Sequence, residues 1–331
     1  MVEQMTCNNS LSIKDGTLKT YFMALRPNQW TKNLLVFAAP LFAFQININS
    51  FSSTLIAFCL FCIVSSSFYL LNDVKDLESD RQHPVKCNRA IAAGHISVPI
   101  AVTMASLFLL VTLSFSWFCS LSLGAVLTCY SLIQVAYNLK LKEMPLLDIA
   151  CIASGFVLRA GAGFIVTNIY PSPWFLIFIA MLALFLAIEK RKAELHNLQL
   201  KGKVITREVL KVYSLPLLNR MESIVATGAV MSYAIWSSGW NCSSDFCEVP
   251  TPWMSITLPF VMYGIFRYQL LGDSAVKVHQ LQEKPEKVKA VNHRTEVPDR
   301  VLLSDEHIQY TIIAWLITCT LTLWLNSQGV I

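Results

Sequence analysis

The sequence predicts an all-α polytopic membrane protein, a bundle of nine transmembrane helices. Three observations carry that expectation. Of 331 residues, 54% are apolar and only 14% are charged, against about 25% charged in an ordinary soluble domain. Apolar runs of about twenty residues, long enough to cross a bilayer as helix, recur along the chain. Basic residues also alternate from one connection to the next. The connections after spans 1, 3, 5 and 7 carry no lysine or arginine, while the N-terminal segment and the other connections carry nearly all of them.

The elements follow in order. The first 17 residues are polar and lack a cleavable signal pattern, so residues 1–29 form a cytoplasmic segment and interfacial lead-in. Span 1, near 30–47, opens from "LRPNQWTKN" and is interrupted by Pro40. Span 2, near 51–72, contains an eighteen-residue run without a single charge. Spans 3 to 6 lie near 98–118, 120–139, 146–167 and 172–189, and spans 7 to 9 near 221–239, 252–271 and 308–326. Residues 30–326 make one transmembrane domain with a hydrophilic loop at 272–306, and 327–331 form a short tail. Positive charge stays inside. The N-terminus and the basic connections are therefore expected on the cytoplasmic face of the cell (inner) membrane, with the C-terminus outside. The net charge of +5 is then topological and implies no nucleic-acid partner. Cys242 and Cys247 share an outward loop, where an oxidising compartment would permit a disulfide.

The chemistry begins at "NDVKDLESD" (72–80), at the mouth of span 2. At about 100° per residue, Asp73, Asp76 and Asp80 fall near 0°, 300° and 340°, with Asn72 near 260°. Lys75 and Glu78 point to the other side. Three carboxylates on one stripe repel each other unless a cation lies between them. Hard oxygen ligands at this spacing suit Mg²⁺, which usually shares itself with substrate phosphates. The alternative is a solvated helix end.

Cations gather on the same side of the bundle. Arg26 and Lys32 open span 1, Tyr137, Lys140 and Lys142 lie between spans 4 and 5, and Lys190, Arg191 and Glu194 close span 6. Arg159 differs, lying eleven residues beyond Asp148 and about 16 Å into its helix. A central arginine costs about 2.5–3.5 kcal/mol to insert, so it should face a polar interior. Small residues in "SGFVLRAGAG" permit close helix approach around it. Acids able to hold Mg²⁺, facing several cations, describe a site for a polyanion bearing a diphosphate.

"NDVKDLESD" resembles the N-D-x-x-D-x-x-x-D metal motif of the UbiA-type intramembrane prenyltransferase superfamily, and "YNLKLK" is similar to its tyrosine–lysine element. Five blocks in order, "LRPNQWTKNLLVFAAPLFA", "HPVKCNRAIAAGHIS", "YNLKLKEMPLLDIACIASGFVLRAGAG", "SPWF" and "EKRKAEL", resemble the branch that transfers a phosphoribosyl group to polyprenyl (decaprenyl) phosphate. Ordinary members carry a second aspartate-rich motif after span 6. This chain has Lys190 and Arg191 there instead. Basic groups hold no metal, but they neutralise phosphate, and phosphoribosyl diphosphate carries a 5-phosphate that a prenyl diphosphate lacks.

The resemblance implies a UbiA-like bundle and an Mg²⁺-dependent pentosyltransferase acting in cell-wall biogenesis. Its expected partners are phosphoribosyl diphosphate, a polyprenyl phosphate and the bilayer, with a homo-oligomer left open. It assigns Asp73, Asp76 and Asp80 to the metal. Arg26 and Lys32 fall to the lipid phosphate, Tyr137, Lys140 and Arg159 to the ribose phosphates, and Lys142 to substrate binding. Lys190 and Arg191 fall to the 5-phosphate, Asn72 to Asp76 or a ribose hydroxyl, and Glu194 to Lys190 or a hydroxyl. Asp73, Asp76, Lys32 and Arg159 are the expected catalytic set. Two rivals predict different behaviour. A prenyltransferase would use a prenyl diphosphate with an aromatic acceptor, and a transporter would place charges near the midplane with gates on both faces.

Overall fold

Capping chemistry starts several of the long helices. The structure, a computed structural model, describes residues 18–42, 47–82, 86–201, 209–239, 251–272, 301 and 305–329. The described elements are all helical. They begin with α1 (Leu18–Ala24), a 3-10 helix (Pro27–Phe37), α2 (Ala38–Phe42), α3 (Ile48–Lys75) and α4 (Leu77–Arg81). Helices α5 (Val98–Cys119), α6 (Leu121–Leu139), α7 (Leu147–Thr167) and α8 (Pro173–Lys201) follow. The chain closes with α9 (Val209–Val212), α10 (Leu215–Ser237), α11 (Leu258–Gly272) and α12 (Glu306–Ser327). Asn47 caps α3 by accepting from the Ser50 N–H at 2.8 Å, and Asp305 caps α12 from the Ile308 N–H at 2.9 Å.

Six described helices, α3, α5, α6, α7, α12 and the Pro173–His196 part of α8, are long and apolar enough to cross a membrane. Length and composition thus do not establish the expected nine crossings. The first expected span differs most. In place of one helix over 30–47 the chain forms an eleven-residue 3-10 helix and then the five-residue α2, which holds Pro40. The eighth is likewise split, into a 3-10 turn (Pro252–Thr257) and the fifteen-residue α11. The seventh, α10, begins at Leu215, six residues earlier than expected, because Ser214 caps it and Pro216 suits its first turn. Cys242, Cys247, residues 1–17, most of 272–306 and the last two residues lie outside the described residues.

Unusually long 3-10 structure needs outside support. Trp30 Nε1 donates to Ser66 Oγ at 3.0 Å, and that hydroxyl donates to the Leu25 carbonyl at 2.8 Å. Asn33, fully buried, donates to Cys62 Sγ at 3.2 Å. The other flank rests on α7, where a Cβ at Gly163 would fall 2.0 Å from the Val36 carbonyl oxygen. Gly163→Ala should therefore destabilise the protein by about 1–3 kcal/mol through overpacking. Gly161→Ala, whose Cβ would meet nothing within 4 Å, is the control. Thermal unfolding in detergent checks both, and equal midpoints would contradict this close approach.

The core beyond is aromatic and apolar. Phe164, Phe175, Phe178, Tyr233 and Trp236 join α7, α8 and α10. Lys192 on α8 bridges to Glu222 on α10 and to Glu189 one turn before it. Ion pairs join the α3–α4 junction to the turn before α7 through Asp76 and Lys142, and the first turn of α7 to α8 through Asp148 and Arg191.

Candidate active site

The last turn of α3 and the short α4 carry the acid motif. Helix α3 ends at Lys75 and α4 begins at Leu77, so 72–80 is broken at Asp76 rather than one continuous helix. Register survives the break. The Asp76 N–H bonds the Asn72 carbonyl at 2.9 Å, and the Asp80 N–H bonds the Asp76 carbonyl at 2.8 Å. Asp73 and Asp80 are therefore buried together, Asn72 and Asp76 are half-buried, and Lys75 and Glu78 are exposed. Lys75 donates to the Asn138 carbonyl at the end of α6.

Side-chain cations stand among these acids. Arg89 Nη1 reaches both Asp73 Oδ1 at 3.0 Å and Asp80 Oδ2 at 2.5 Å. Arg26 also pairs with Asp73 Oδ1, and Lys86 lies 3.9 Å from Asp80. Asp76 accepts from Lys142 Nζ at 3.1 Å and from Asn72 Nδ2 at 3.1 Å. In this arrangement each carboxylate faces a guanidinium or ammonium group, and among the described residues no three His, Cys, Asp or Glu side chains are grouped as metal ligands. The donors still fit Mg²⁺ in kind. They are hard carboxylate oxygens, and two of them, both buried, hold a shared positive group between them.

Arg26 reaches Asp73 from a costly backbone position. Its φ of 54° and ψ of 60° are left-handed for a non-glycine residue, and Pro27 follows directly, disfavouring the right-handed alternative. The guanidinium lies over the Tyr69 ring, 5.1 Å from its centroid. Burial is the main influence on its pKa and lowers it, while Asp73 acts in the opposite direction. Strain of this kind persists only where surroundings over-determine it.

The structure separates the remaining expected residues into three groups. Lys140 is exposed and Lys32 half-buried, with Lys32 Nζ donating to Gln29 Oε1 at 2.7 Å. Tyr137 is half-buried and Lys142 buried. Arg159 does not join the acids through any of its described bonds. It is buried, with Nε on Asn33 Oδ1 at 2.6 Å, Nη1 on the Gly155 carbonyl at 2.7 Å and Nη2 on Tyr130 OH at 2.9 Å. Tyr130, Phe156 and Phe61 surround its charge. These contacts give the expected polar interior, and they make Arg159 an internal tie between α6, α7 and the 3-10 helix.

Arg191 is also internal. It and Asp148 are both 0% exposed and pair at 2.7 Å, and Arg191 Nη1 reaches Glu194 Oε2 at 2.6 Å. Neighbours in sequence, Lys190 and Arg191 thus differ in environment, since Lys190 is half-buried. Arg89, Tyr69, Asn33 and Tyr213 were not among the expected site residues. Arg89 lay in the block "HPVKCNRAIAAGHIS", where its place nine residues after Asp80 carries no helical signal. Tyr213 had no local signal at all.

Comparison with known proteins bears on the fold and the family. Residues 34–275 match the UbiA prenyltransferase family. A decaprenyl-phosphate phosphoribosyltransferase of Mycolicibacterium smegmatis is 33% identical over 322 residues, covering 95% of this chain and 94% of that protein. One from Mycobacterium tuberculosis is 32% identical over 327 residues, covering 96% and 97%. A UbiA homolog from Archaeoglobus fulgidus, solved with DMAPP and Mg²⁺, shares the fold with a TM-score of 0.61 at 16% identity, over 92% of this chain and 98% of that one. With both the acid-bearing mouth and the family match spanning its bundle, the chain belongs to the UbiA prenyltransferase family.

Proposed function

We propose that this protein transfers the 5-phosphoribosyl group of phosphoribosyl diphosphate to a polyprenyl phosphate, decaprenyl phosphate by analogy with its relatives, and releases diphosphate. The observation that carries the reading is the basic stretch in the second half of α8. Lys190, Arg191 and Lys192 stand there, where a prenyl-diphosphate enzyme of this family would need a second aspartate-rich motif. Full-length relatives that carry the phosphoribosyltransferase name support it.

The chemistry asks little of acid–base groups. A phosphate monoester has a second pKa near 6, so the lipid phosphate oxygen is already an ionised nucleophile. It forms a bond to C1 of the ribose as the bond from C1 to the diphosphate oxygen breaks, the electron pair leaving with diphosphate. Bound Mg²⁺ would neutralise charge on the diphosphate, held by Asp73, Asp76 and Asp80. Arg26, Arg89 and Lys142, which pair with those carboxylates, are then available to exchange a carboxylate partner for a phosphate oxygen. Lys32 would receive the lipid phosphate and Lys190 the 5-phosphate, while Tyr137 and Lys140 would border the ribose. The site would lie on the cytoplasmic face.

Purified protein in detergent should move label from phosphoribosyl diphosphate into the lipid fraction with polyprenyl phosphates of several lengths. Chelation should abolish that transfer and added Mg²⁺ restore it. Transfer from a prenyl diphosphate to an aromatic acceptor, with none from phosphoribosyl diphosphate, would overturn the reading.

A further inference from the structure

Tyr213 sits in the short turn between α9 and α10, outside every expected motif, yet it closes a buried polar unit. Its hydroxyl accepts from the Leu146 N–H at 2.7 Å and donates to Asp148 Oδ1 at 2.8 Å. Asp148 Oδ2 accepts from Arg191 Nε at 2.7 Å. Burial, and then the bond to Asp148, push the phenol up to about 12. It therefore remains a donor across the whole physiological range.

Two features of this unit point beyond plain packing. Leu146 has φ 68°, an uncommon value for a branched residue that its surroundings must enforce. The turn it closes presents Lys142 to Asp76, and Tyr213 receives its N–H. Arg191 has Nε on Asp148 and Nη1 on Glu194, so the planar fork cannot rotate, and its buried Nη2 has no hydrogen-bond partner among the described residues. Glu194, with 21% of its side chain exposed, is the least buried member of this ion-pair group. A phosphate oxygen could replace its carboxylate charge for charge.

We propose that Tyr213 is a positioning residue for donor binding: through Asp148 it aims Arg191, and through Leu146 it holds the turn bearing Lys142. This rests on the phosphoribosyl-transfer reading above. The phosphate-bearing donor is the ligand affected, and the lipid acceptor is not.

The test is a double-mutant cycle of Tyr213→Phe and Arg191→Lys, which keeps side-chain bulk and charge. Tyr213→Phe should raise KM for phosphoribosyl diphosphate about tenfold, the equivalent of one lost hydrogen bond, and leave KM for polyprenyl phosphate within about twofold. On the Arg191→Lys background it should add little, since both changes act through one unit. An unchanged donor KM, equal rises for both substrates, or fully additive losses would overturn the proposal. If the wild-type protein transfers nothing from phosphoribosyl diphosphate, the functional reading fails. Equilibrium binding of phosphoribosyl diphosphate to the same variants then decides the positioning claim, with about tenfold weaker binding to Tyr213→Phe upholding it and an unchanged Kd refuting it.

Discussion

Asp73→Asn is expected to lower kcat/KM for phosphoribosyl transfer roughly thirtyfold to several thousandfold, the span of truncating a buried, hydrogen-bonded charge pair. Three roles converge on this carboxylate. It is buried at the end of α3, it holds both Arg26 and Arg89, and it heads the acid face expected to carry Mg²⁺. Asparagine keeps the shape and removes the charge, so Arg26 loses the carboxylate it pairs with and Arg89 keeps only Asp80. Glu78→Gln, exposed on the opposite side, should change the rate by less than about twofold, as surface substitutions do. Steady-state kinetics on both variants, with thermal midpoints alongside, separate these outcomes. Equal losses at Asp73 and Glu78 would refute the assignment of the buried face.

Arg191→Ala should cost about 3–5 kcal/mol of stability, because it leaves Asp148 buried and unpaired. Both partners are 0% exposed, so water cannot take the place of the guanidinium. Replacing the pair together, as Asp148→Leu with Arg191→Met, should recover much of that loss, since no isolated charge is left behind. Lys190→Ala should behave differently. Half-buried beside a fully buried neighbour, it should leave the thermal midpoint nearly unchanged and raise KM for phosphoribosyl diphosphate. A wild-type midpoint for Arg191→Ala would contradict the internal ion pair. An unchanged donor KM for Lys190→Ala would reduce that lysine to a topology anchor.

Much of the site was legible because helical periodicity converts spacing into direction. Asp73, Asp76 and Asp80 were placed on one face from their positions alone, and burial separates them from Lys75 and Glu78 as that spacing requires. The need for positive charge between three neighbouring acids was equally legible. Its source was not, since Arg89 arrives from a turn after α4. Arg159 illustrates the same division. Its depth and small neighbours announced a polar interior, but Asn33 lies 126 positions away in the chain. Periodicity says nothing about such a pairing.

Composition, apolar run length and charge alternation by themselves determined an all-helical membrane bundle. Local spacing determined an acid face beside a collection of cations. These properties belong to single segments, and hydrophobic transfer and helix geometry act on each segment separately. Only the tertiary structure decided which cation meets which acid. It split the first span into a 3-10 helix and α2, buried Arg191 against Asp148 while leaving Lys190 half-exposed, and brought Tyr213 onto the same carboxylate. The physical reason is that charge pairing inside a bundle depends on distances between segments, which close packing sets and no single segment contains.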